Sequence, residues 1–348
     1  MGPVFGMFRL WTVPMNLNEA EIQILATLQG AERETESTDR PSLEKRGERY
    51  RPFLEDWANS FASLVDSGLI AGDEAGYRVT EAGRPLAHDY YAERPDRYWY
   101  HYQRLYPAAN ASEAHTRFCE RVYGKDLCQE GLIDMAGVDD LLGYLDLNSD
   151  DRLLDLGCGA GGISEYLSDQ TGAHVTGVDH SASAIATANA RTENKRSRLA
   201  FLQVDLNTLE LPMRSYDSAI LLDSIYWVAD IGESLERIAR TLRAGGQLGI
   251  FIVHTLEYCT RPEQLQIDKT PVATALSNLN LDYQAHDYTV GFREFRPRVK
   301  DVALALRDDF EREGNGFICE NWIREADEEF LPAIEAETIR RYFYHVKL

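Results

Sequence analysis

The sequence predicts an α/β protein with a seven-stranded, mostly parallel sheet covered by helices on both faces, together with a second, mainly helical domain. From Arg152 onward, short apolar runs alternate with longer segments of helical periodicity, a pattern typical of strands and helices in a parallel sheet. The first apolar run leads directly into a glycine-rich turn. A length of 348 residues is enough for about two domains.

Seven short apolar runs in this region are predicted strands, because each is bounded by turn residues and is too short for a buried helix. We place the domain that contains them at residues 116–348, where the helical segments Thr116–Gly124 and Gly131–Leu145 precede the first strand. The predicted strands are Leu153–Leu156, His174–Val178, Leu199–Val204, Ser218–Leu222, Gln247–Val253, Tyr283–Val290 and Tyr342–Val346.

A helical insertion at about residues 297–336 separates the last two predicted strands. It contains two charged helical segments, Val299–Glu313 and Ile318–Glu335. Trp322 and Phe330 are expected on their inner, apolar faces.

Residues 1–115 are predicted to form a separate, mainly helical domain. Helical patterns at Leu17–Leu28 and Phe53–Leu64 are separated by a polar loop at residues 31–52, and a strand–wing–strand pattern follows from Leu69 to Gly83. This order resembles a winged helix, and a small helical cap with a hairpin is the alternative. Residues 1–120 contain 13 basic and 19 acidic side chains, a net charge of −6, which favours dimerisation or substrate capping over DNA binding.

The composition excludes several classes of protein. The 57 acidic and 36 basic residues give a net charge of −21, which disfavours nucleic acid as a partner. The five cysteines form no C-x-x-C pair, so neither a disulfide framework nor a metal site is predicted. We find no signal peptide and no apolar stretch of membrane-spanning length, and we expect a cytoplasmic protein.

The glycine-rich turn is the first candidate binding site. It runs from Leu153 to Ile163 with the sequence LLDLGCGAGGI, in which a strand meets a helix. Glycines allow a tight turn and let a ligand approach the backbone, and the start of the helix offers unpaired N–H groups. The pattern also fits a dinucleotide fingerprint, but Asp155 would place a negative charge near a pyrophosphate.

Two more aspartates follow later strands at the same predicted edge of the sheet. Asp179, followed by His180, ends the second strand, where a carboxylate can accept both hydroxyl groups of a ribose. Asp205, followed by Leu206, ends the third strand and is positioned for an adenine amine.

In this order and spacing, the stretch from Asp151 to about Val253 resembles the class I S-adenosylmethionine-dependent methyltransferases, which have a Rossmann-like sheet with an antiparallel last strand. The motifs are D-x-G-x-G-x-G, the two following acids, and L-x-x-G-G before the fifth strand. The resemblance implies S-adenosylmethionine as cofactor and S-adenosylhomocysteine as product. The implied cofactor residues are Asp155, Gly157, Cys158, Gly159 and Gly161 near the methionine part and sugar, Asp179 and His180 at the ribose, Asp205 and Leu206 at the adenine, and Asp223.

The segments around Asp223 and Tyr123–Asp126 are also similar to those of phosphoethanolamine methyltransferases and related small-molecule enzymes. The tyrosine and histidine pair that is catalytic in that group is replaced here by Leu127 and Trp227. The resemblance therefore implies a small-molecule acceptor but not phosphobase chemistry.

Two residues are candidates for catalysis on the acceptor side. Asp223 follows the fourth strand and His254 ends the fifth, both at the carboxyl edge where open α/β folds bind ligands. Either could orient or deprotonate an acceptor. A helix N-cap is the alternative for Asp223, and a structural role is the alternative for His254.

Aromatic residues are candidates for the acceptor pocket. The segment Tyr98–Tyr106 contains five aromatic side chains in nine positions, and Tyr226 and Trp227 follow the fourth strand. We select Tyr98, Tyr102, Tyr106, Tyr226 and Trp227, with core packing as the alternative. The insertion at 297–336 is expected to complete a cap, with packing on the sheet or a dimer contact as its alternatives.

The predicted function is methyl transfer from S-adenosylmethionine to a nitrogen, oxygen, sulfur or carbon atom of a small molecule. The expected partners are this small molecule and, as an open alternative for the N-terminal domain, a second copy of the chain. Three other functions stay open: a winged-helix regulator that senses S-adenosylmethionine without turnover, a methyltransferase of RNA or protein, and an NAD oxidoreductase.

Overall fold

The computed structural model describes residues 17–32, 39–41, 43, 57–73, 76–93, 99–259 and 261–348. The chain divides into two compact units, Met1–Tyr100 and His101–Leu348. Among the described residues, no helix has the length and apolar character needed to cross a membrane.

In the first unit, the described residues include helices and a two-stranded antiparallel sheet. The elements are α1 (Glu19–Ala31), α2 (Trp57–Asp66), β1 (Ile70–Asp73), β2 (Gly76–Val79) and α3 (Arg84–Glu93). The predicted hairpin is therefore present, but its second strand ends at Val79 and not at Gly83, because Thr80 accepts the N–H groups of Gly83 and Arg84 and turns the chain into α3. The assignment to a winged helix stays a prediction.

The second unit is built on one seven-stranded sheet, as predicted. In sequence order its strands are β3 (Arg152–Leu156), β4 (His174–Asp179), β5 (Leu199–Gln203), β6 (Tyr216–Leu222), β7 (Leu242–Thr255), β8 (Asp282–Asp287) and β9 (Ile339–Lys347). Their spatial order is β5-β4-β3-β6-β7-β9-β8. β9 pairs antiparallel with both of its neighbours, and the other pairs are parallel.

Helices cover both faces of this sheet. Successive residues of a strand point to opposite faces, so Leu153 packs in one core cluster with Leu141 and Leu167, and Leu154 packs in another with Leu235. The α-helices from residue 99 onward are α4 (Trp99–Asn110), α5 (Glu113–Tyr123), α6 (Met135–Leu145), α7 (Gly162–Thr171), α8 (Ala182–Arg191), α9 (Ile231–Thr241), α10 (Leu256–Cys259), α11 (Pro271–Asn278), α12 (Thr289–Arg312), α13 (Gly316–Glu325) and α14 (Leu331–Glu335).

The insertion between β8 and β9 begins earlier than predicted. β8 ends at Asp287, and the carboxylate of that residue accepts the backbone N–H of Thr289, the first residue of α12. The predicted sixth strand was therefore wrong beyond Asp287, and Pro297 lies inside α12. The predicted second helix is divided by a π-helical segment, Ala326–Phe330.

The insertion packs against α4 and α5 in one apolar cluster. In it, the rings of Phe118 and Trp322 stack at a centroid distance of 3.6 Å, and Phe310 meets both edge-on. The cluster also includes Tyr106, and Ala160 from the glycine turn. Aromatic pairs with such geometry add stabilisation beyond that of area burial. This layer therefore extends from α12 and α13 to the glycine turn.

Truncation of the Phe310 side chain tests this packing. Phe310 is fully buried, so we expect Phe310→Ala to lower the free energy of unfolding by about 3–5 kcal/mol in urea denaturation. Leu304→Ala, at a position 42% exposed on the same helix, is the control and should change it by less than about 0.5 kcal/mol. Equal effects of the two substitutions would contradict this role for the aromatic cluster.

Candidate active site

The candidate site lies at the carboxyl ends of the two central strands. From β3 the chain proceeds to β4 and β5 on one side, and it then returns to β6 on the other side. Open α/β sheets bind ligands at such a reversal of strand order. The glycine turn follows β3 at this point.

The backbone of the glycine turn requires glycine at three positions. Gly157, Gly159 and Gly161 have φ angles of 81°, 53° and 72°, in the left-handed region that favours glycine. Space is limiting as well, because a Cβ atom on Gly159 would lie 2.7 Å from the hydroxyl oxygen of Tyr106. The turn therefore offers bare backbone. Gly161 is the N-cap of α7, and no side chain caps the start of this helix.

Asp179 fixes the turn to the neighbouring strand. Its Oδ2 atom accepts the N–H of Gly159 at 2.9 Å, and its Oδ1 atom accepts the N–H of Ser181 at 2.9 Å. The carbonyl of Val178 accepts the N–H groups of Gly157 and Cys158 at 2.8 and 3.0 Å. Asp179 thus lies beside the glycine turn, where the sequence placed it.

A cavity with about 440 Å³ of empty space, part of it open to solvent, adjoins the glycine turn. The lining residues come from α4, the segment after α5, the glycine turn and the end of β6. They are Tyr106, Leu127, Cys128, Gln129, Glu130, Gly131, Ile133, Asp155, Gly157, Cys158, Gly159, Ala160, Gly162, Ile163 and Leu222.

Asp155 is a buried acid on this cavity. Its Oδ2 atom accepts a hydrogen bond from the hydroxyl of Ser164 at 2.5 Å. Burial raises the pKa of Asp155 to about 7, against the lowering effect of that hydrogen bond. A positively charged ligand in the cavity would therefore favour the ionised carboxylate.

The aromatic candidates of α4 are close to the glycine turn. Tyr106 lines the cavity, and burial followed by the charge of Asp179 raises the pKa of its hydroxyl, which stays protonated. Tyr102 stacks on Tyr106 at 6.0 Å and meets Trp227 edge-on at 6.3 Å. Tyr226 contacts Trp227 at 5.9 Å. These four side chains form one group, and Tyr98 lies outside the described residues.

The acid at the predicted adenine position caps a short helix. Asp205 accepts the backbone N–H of Asn207 at 2.9 Å and is the N-cap of a 3₁₀ turn that begins at Leu206. Both residues are half-buried. In the same region His180 lies 3.8 Å from the carboxylate of Asp179.

Asp223 has a structural role that its position in the sequence does not reveal. Its two carboxylate oxygens bind the guanidinium of Arg341 at 2.7 and 2.9 Å, and Oδ2 also accepts the N–H of Leu132 at 2.8 Å. The side chain is 1% exposed, and Leu222, not Asp223, lines the cavity. The structure therefore does not support Asp223 as a base or cofactor contact, because the side chain is buried and paired with Arg341.

His254 is also placed away from the role predicted for it. Strand alternation puts its side chain on the same face as Ile252, against the rings of Tyr342 and Tyr344. Burial lowers the pKa of His254 to about 3, and its Nε2 lies 3.3 Å from the Tyr344 hydroxyl. His254 is not among the residues that line the cavity, so the structure does not support it as a general base.

The sequence did not predict the segment Leu127–Ile133 as part of the site, although it forms one wall of the cavity. Leu127 lies over the glycine turn, where its backbone leaves no room for a Cβ on Gly162. The predicted helix Gly131–Leu145 was wrong at its start, because α6 begins at Met135 and residues 127–133 have neither helical nor strand structure. The similarity to phosphoethanolamine methyltransferases extended only as far as Leu127.

A group of potential metal ligands lies on α5 and the following loop. His115, Cys119 and Asp126 have ligand atoms within 4.8 Å of one another. Asp126 uses its two oxygens to accept hydrogen bonds from the Thr116 hydroxyl and the Cys128 N–H. This hydrogen bonding gives the acid a role within the protein.

Comparisons with known proteins agree with this geometry. Residues 154–250 match a family described as "Methyltransferase domain". Phosphoethanolamine N-methyltransferase 2 of Caenorhabditis elegans is 26% identical over 187 residues, which are 52% of this chain and 43% of that protein. The 27-O-demethylrifamycin SV methyltransferase of Amycolatopsis mediterranei is 33% identical over 114 residues, 32% of this chain and 42% of that protein. The chain thus spans less than half the length of these curated relatives.

A solved structure shows the same fold. Haemonchus contortus phosphoethanolamine N-methyltransferase 2, in complex with phosphomonomethylethanolamine and S-adenosylhomocysteine, superposes with a TM-score of 0.51 at 18% identity. The match covers 70% of this chain and 60% of that chain.

The fold, the glycine turn and the matched family define the class I S-adenosylmethionine-dependent methyltransferases. Residues 154–250 of this chain match a domain of that kind. The residues beside the cavity fit S-adenosylmethionine, the cofactor of that class, because bare left-handed backbone and an adjoining cavity allow close approach of a ligand.

Adding a methyl group to the turn tests the fit. We expect Gly159→Ala to weaken binding of S-adenosylhomocysteine about tenfold or more in calorimetry. The backbone of an alanine is strained at a φ of 53°, and its Cβ atom would crowd Tyr106. Gly143→Ala, in α6 with open space around it, is the control. Equal affinity in the two variants would contradict the role of the turn.

Removing one partner of the buried ion pair tests the role of Asp223. Asp223→Ala should lower the free energy of unfolding by about 3–5 kcal/mol, because Arg341 keeps a buried, unpaired charge. The double variant Asp223→Leu with Arg341→Met should be more stable than Asp223→Ala, as measured in urea. Unchanged stability of Asp223→Ala with loss of methyl transfer would instead restore the catalytic assignment.

Proposed function

We propose that this protein transfers a methyl group from S-adenosylmethionine to a nucleophilic atom of a small molecule. The observation that carries the proposal is the cavity beside the glycine turn, at the carboxyl ends of β3 and β6. In-line placement of two reactants in such a cavity accounts for much of the rate of a transfer reaction.

The cofactor supplies a methyl group on a positively charged sulfur atom. In the proposed arrangement Gly157, Gly159 and Gly161 hold its amino-acid part and sugar, with Cys158 beside them. Asp179 accepts the ribose hydroxyl groups, next to His180. Asp205 and Leu206 adjoin the adenine.

The charge of the cavity suits a cationic donor. Its lining includes the carboxylates Asp155 and Glu130 and no lysine or arginine side chain among the described residues. An anionic polymer would find no basic surface there, and the whole chain has a charge of −21. These facts favour a small molecule over RNA as the acceptor.

The acceptor is proposed to differ from phosphoethanolamine. By the sequence resemblance, Leu127 and Trp227 replace the tyrosine and histidine of that family. Leu127 lines the cavity, and Trp227 lies beside Tyr102. Neither an aliphatic side chain nor an indole can act as a general acid or base at neutral pH. The aromatic group Tyr102, Tyr106, Tyr226 and Trp227 supports an enclosed acceptor site beside the cavity.

Three predictions from the sequence accompany this proposal. They are a methyltransferase domain at residues 116–348, a capping or dimerising role for residues 1–115, and a cytoplasmic location. Gel filtration with light scattering would test the dimer.

A labelling assay tests the proposed function. Purified protein is incubated with S-adenosylmethionine labelled in its methyl group and with a small-molecule extract of host cells, and labelled products are separated and identified by mass. We expect label in a low-mass product, with one S-adenosylhomocysteine formed per methyl transferred. Label only in macromolecules, or none, would contradict the proposal.

The ribose assignment is tested with Asp179→Ala. We expect S-adenosylhomocysteine to bind about 5- to 150-fold more weakly, because loss of a hydrogen-bonded carboxylate costs about 1–3 kcal/mol. Asp169→Ala, at an exposed carboxylate of α7 paired with Lys195, is the control and should leave binding unchanged. A 2′-deoxy analogue should lose affinity with the natural chain but not with Asp179→Ala. An equal loss in both would assign Asp179 to loop support alone.

A further inference from the structure

Glu130 is an acid on the wall of the cavity that the predicted site did not include. It shares the lining with Tyr106 and Gly159, and its side chain is 11% exposed. The Oε1 atom accepts the indole N–H of Trp322 at 3.0 Å. The Oε2 atom is buried and has no hydrogen-bond partner among the residues that the structure describes. A buried carboxylate oxygen of this kind needs a donor from outside the chain.

The surrounding packing holds this carboxylate in place. Trp322, which binds Oε1, is stacked on Phe118 within the insertion cluster. The Nε2 atom of His101 lies 3.9 Å from Oε1. Trp322 of the insertion thus orients Oε1, while Oε2 has no hydrogen-bond partner among the described residues.

The charges around Glu130 set its protonation. Burial raises the pKa of Glu130 to about 8, against the lowering effects of the Trp322 hydrogen bond and of the Arg296 charge. The thiols and phenols that interact with it have pKa values raised by burial, so they stay neutral near pH 8. The titratable and charged groups that face Glu130 are His101, Tyr106, Cys119, Tyr123, Cys128, Arg296 and Glu325.

We propose that the Oε2 atom of Glu130 receives the proton of the methyl acceptor, and that the acceptor attacks through a neutral amine or a hydroxyl group. This inference rests on the proposed methyl transfer. The acceptor's nitrogen or oxygen forms a bond to the methyl carbon, the carbon–sulfur bond breaks, and its electron pair stays on sulfur. The proton of the acceptor moves to Glu130 and is then released to water. No further reactant is needed.

A carboxylate in this position also responds to the charge of the donor. S-adenosylmethionine has a positive sulfur, whereas S-adenosylhomocysteine has a neutral one. Ionised Glu130 therefore attracts the first ligand more than the second, and this preference grows as pH rises through the pKa of the acid. This preference therefore reports whether the ionised carboxylate lies near the sulfur atom of the donor.

The affinity ratio of the two ligands tests this without any acceptor. In calorimetry, we expect the natural chain to shift toward S-adenosylmethionine by about fivefold or more between pH 7.0 and 8.5. Glu130→Gln keeps an oxygen for Trp322 and should reduce this shift to less than about twofold. Asp169→Asn, at an exposed acid outside the cavity lining, is the control and should behave as the natural chain.

Binding of S-adenosylhomocysteine shows whether each variant is folded. Should Glu130→Gln fail to bind it, Glu130→Asp, which retains the charge, is expected to keep the pH-dependent preference. A shift that persists in Glu130→Gln, or that is absent from the natural chain, would overturn the proposal.

Turnover of the acceptor identified in the labelling assay tests the proton transfer itself. We expect Glu130→Gln to lower kcat by about 100-fold or more, with unchanged affinity for S-adenosylhomocysteine. If Glu130→Gln forms labelled product with an unchanged kcat, the role of Glu130 is contradicted but the proposed methyl transfer is not. Absence of labelled product with the natural chain would contradict the proposed function as well.

Discussion

The left-handed backbone of the glycine turn is the constraint on which the site depends. Gly157, Gly159 and Gly161 adopt this conformation within five residues, at the point where the chain leaves the central strand β3. Hydrogen bonds from the turn to Val178 and Asp179 of β4 hold the conformation in place. Because side chains are absent there, the ligand and the wall residues Tyr106 and Leu127 can approach the backbone directly.

The cavity is completed by parts of the chain that are far apart in sequence. Glu130 meets Trp322 across 192 positions, and Asp223 meets Arg341 across 118. The first contact ties the cavity wall to the insertion, and the second ties the end of β6 to β9. Substitution of Trp322 or Arg341 would therefore change the site, although neither residue lines the cavity.

Burial controls the electrostatics of the site. Asp155 and Glu130 lie on the same cavity, and burial raises the pKa of both acids toward neutrality. Each acid accepts a side-chain hydrogen bond, Asp155 from Ser164 and Glu130 from Trp322. Such acids respond to the charge of a bound cation, which links donor binding to the protonation of the cavity.

Local patterns in the sequence determined the seven strands, the glycine turn and the position of Asp179 beside it, because apolar periodicity and backbone requirements are properties of neighbouring residues. The tertiary structure decided the surroundings of Asp223, His254 and Glu130. Asp223 pairs with Arg341 of a distant strand, His254 is turned into the core by strand alternation, and Glu130 depends on a tryptophan of the insertion. The chemistry of a polar side chain is set by its partners and its burial, and the folded chain supplies both from segments that no local pattern connects.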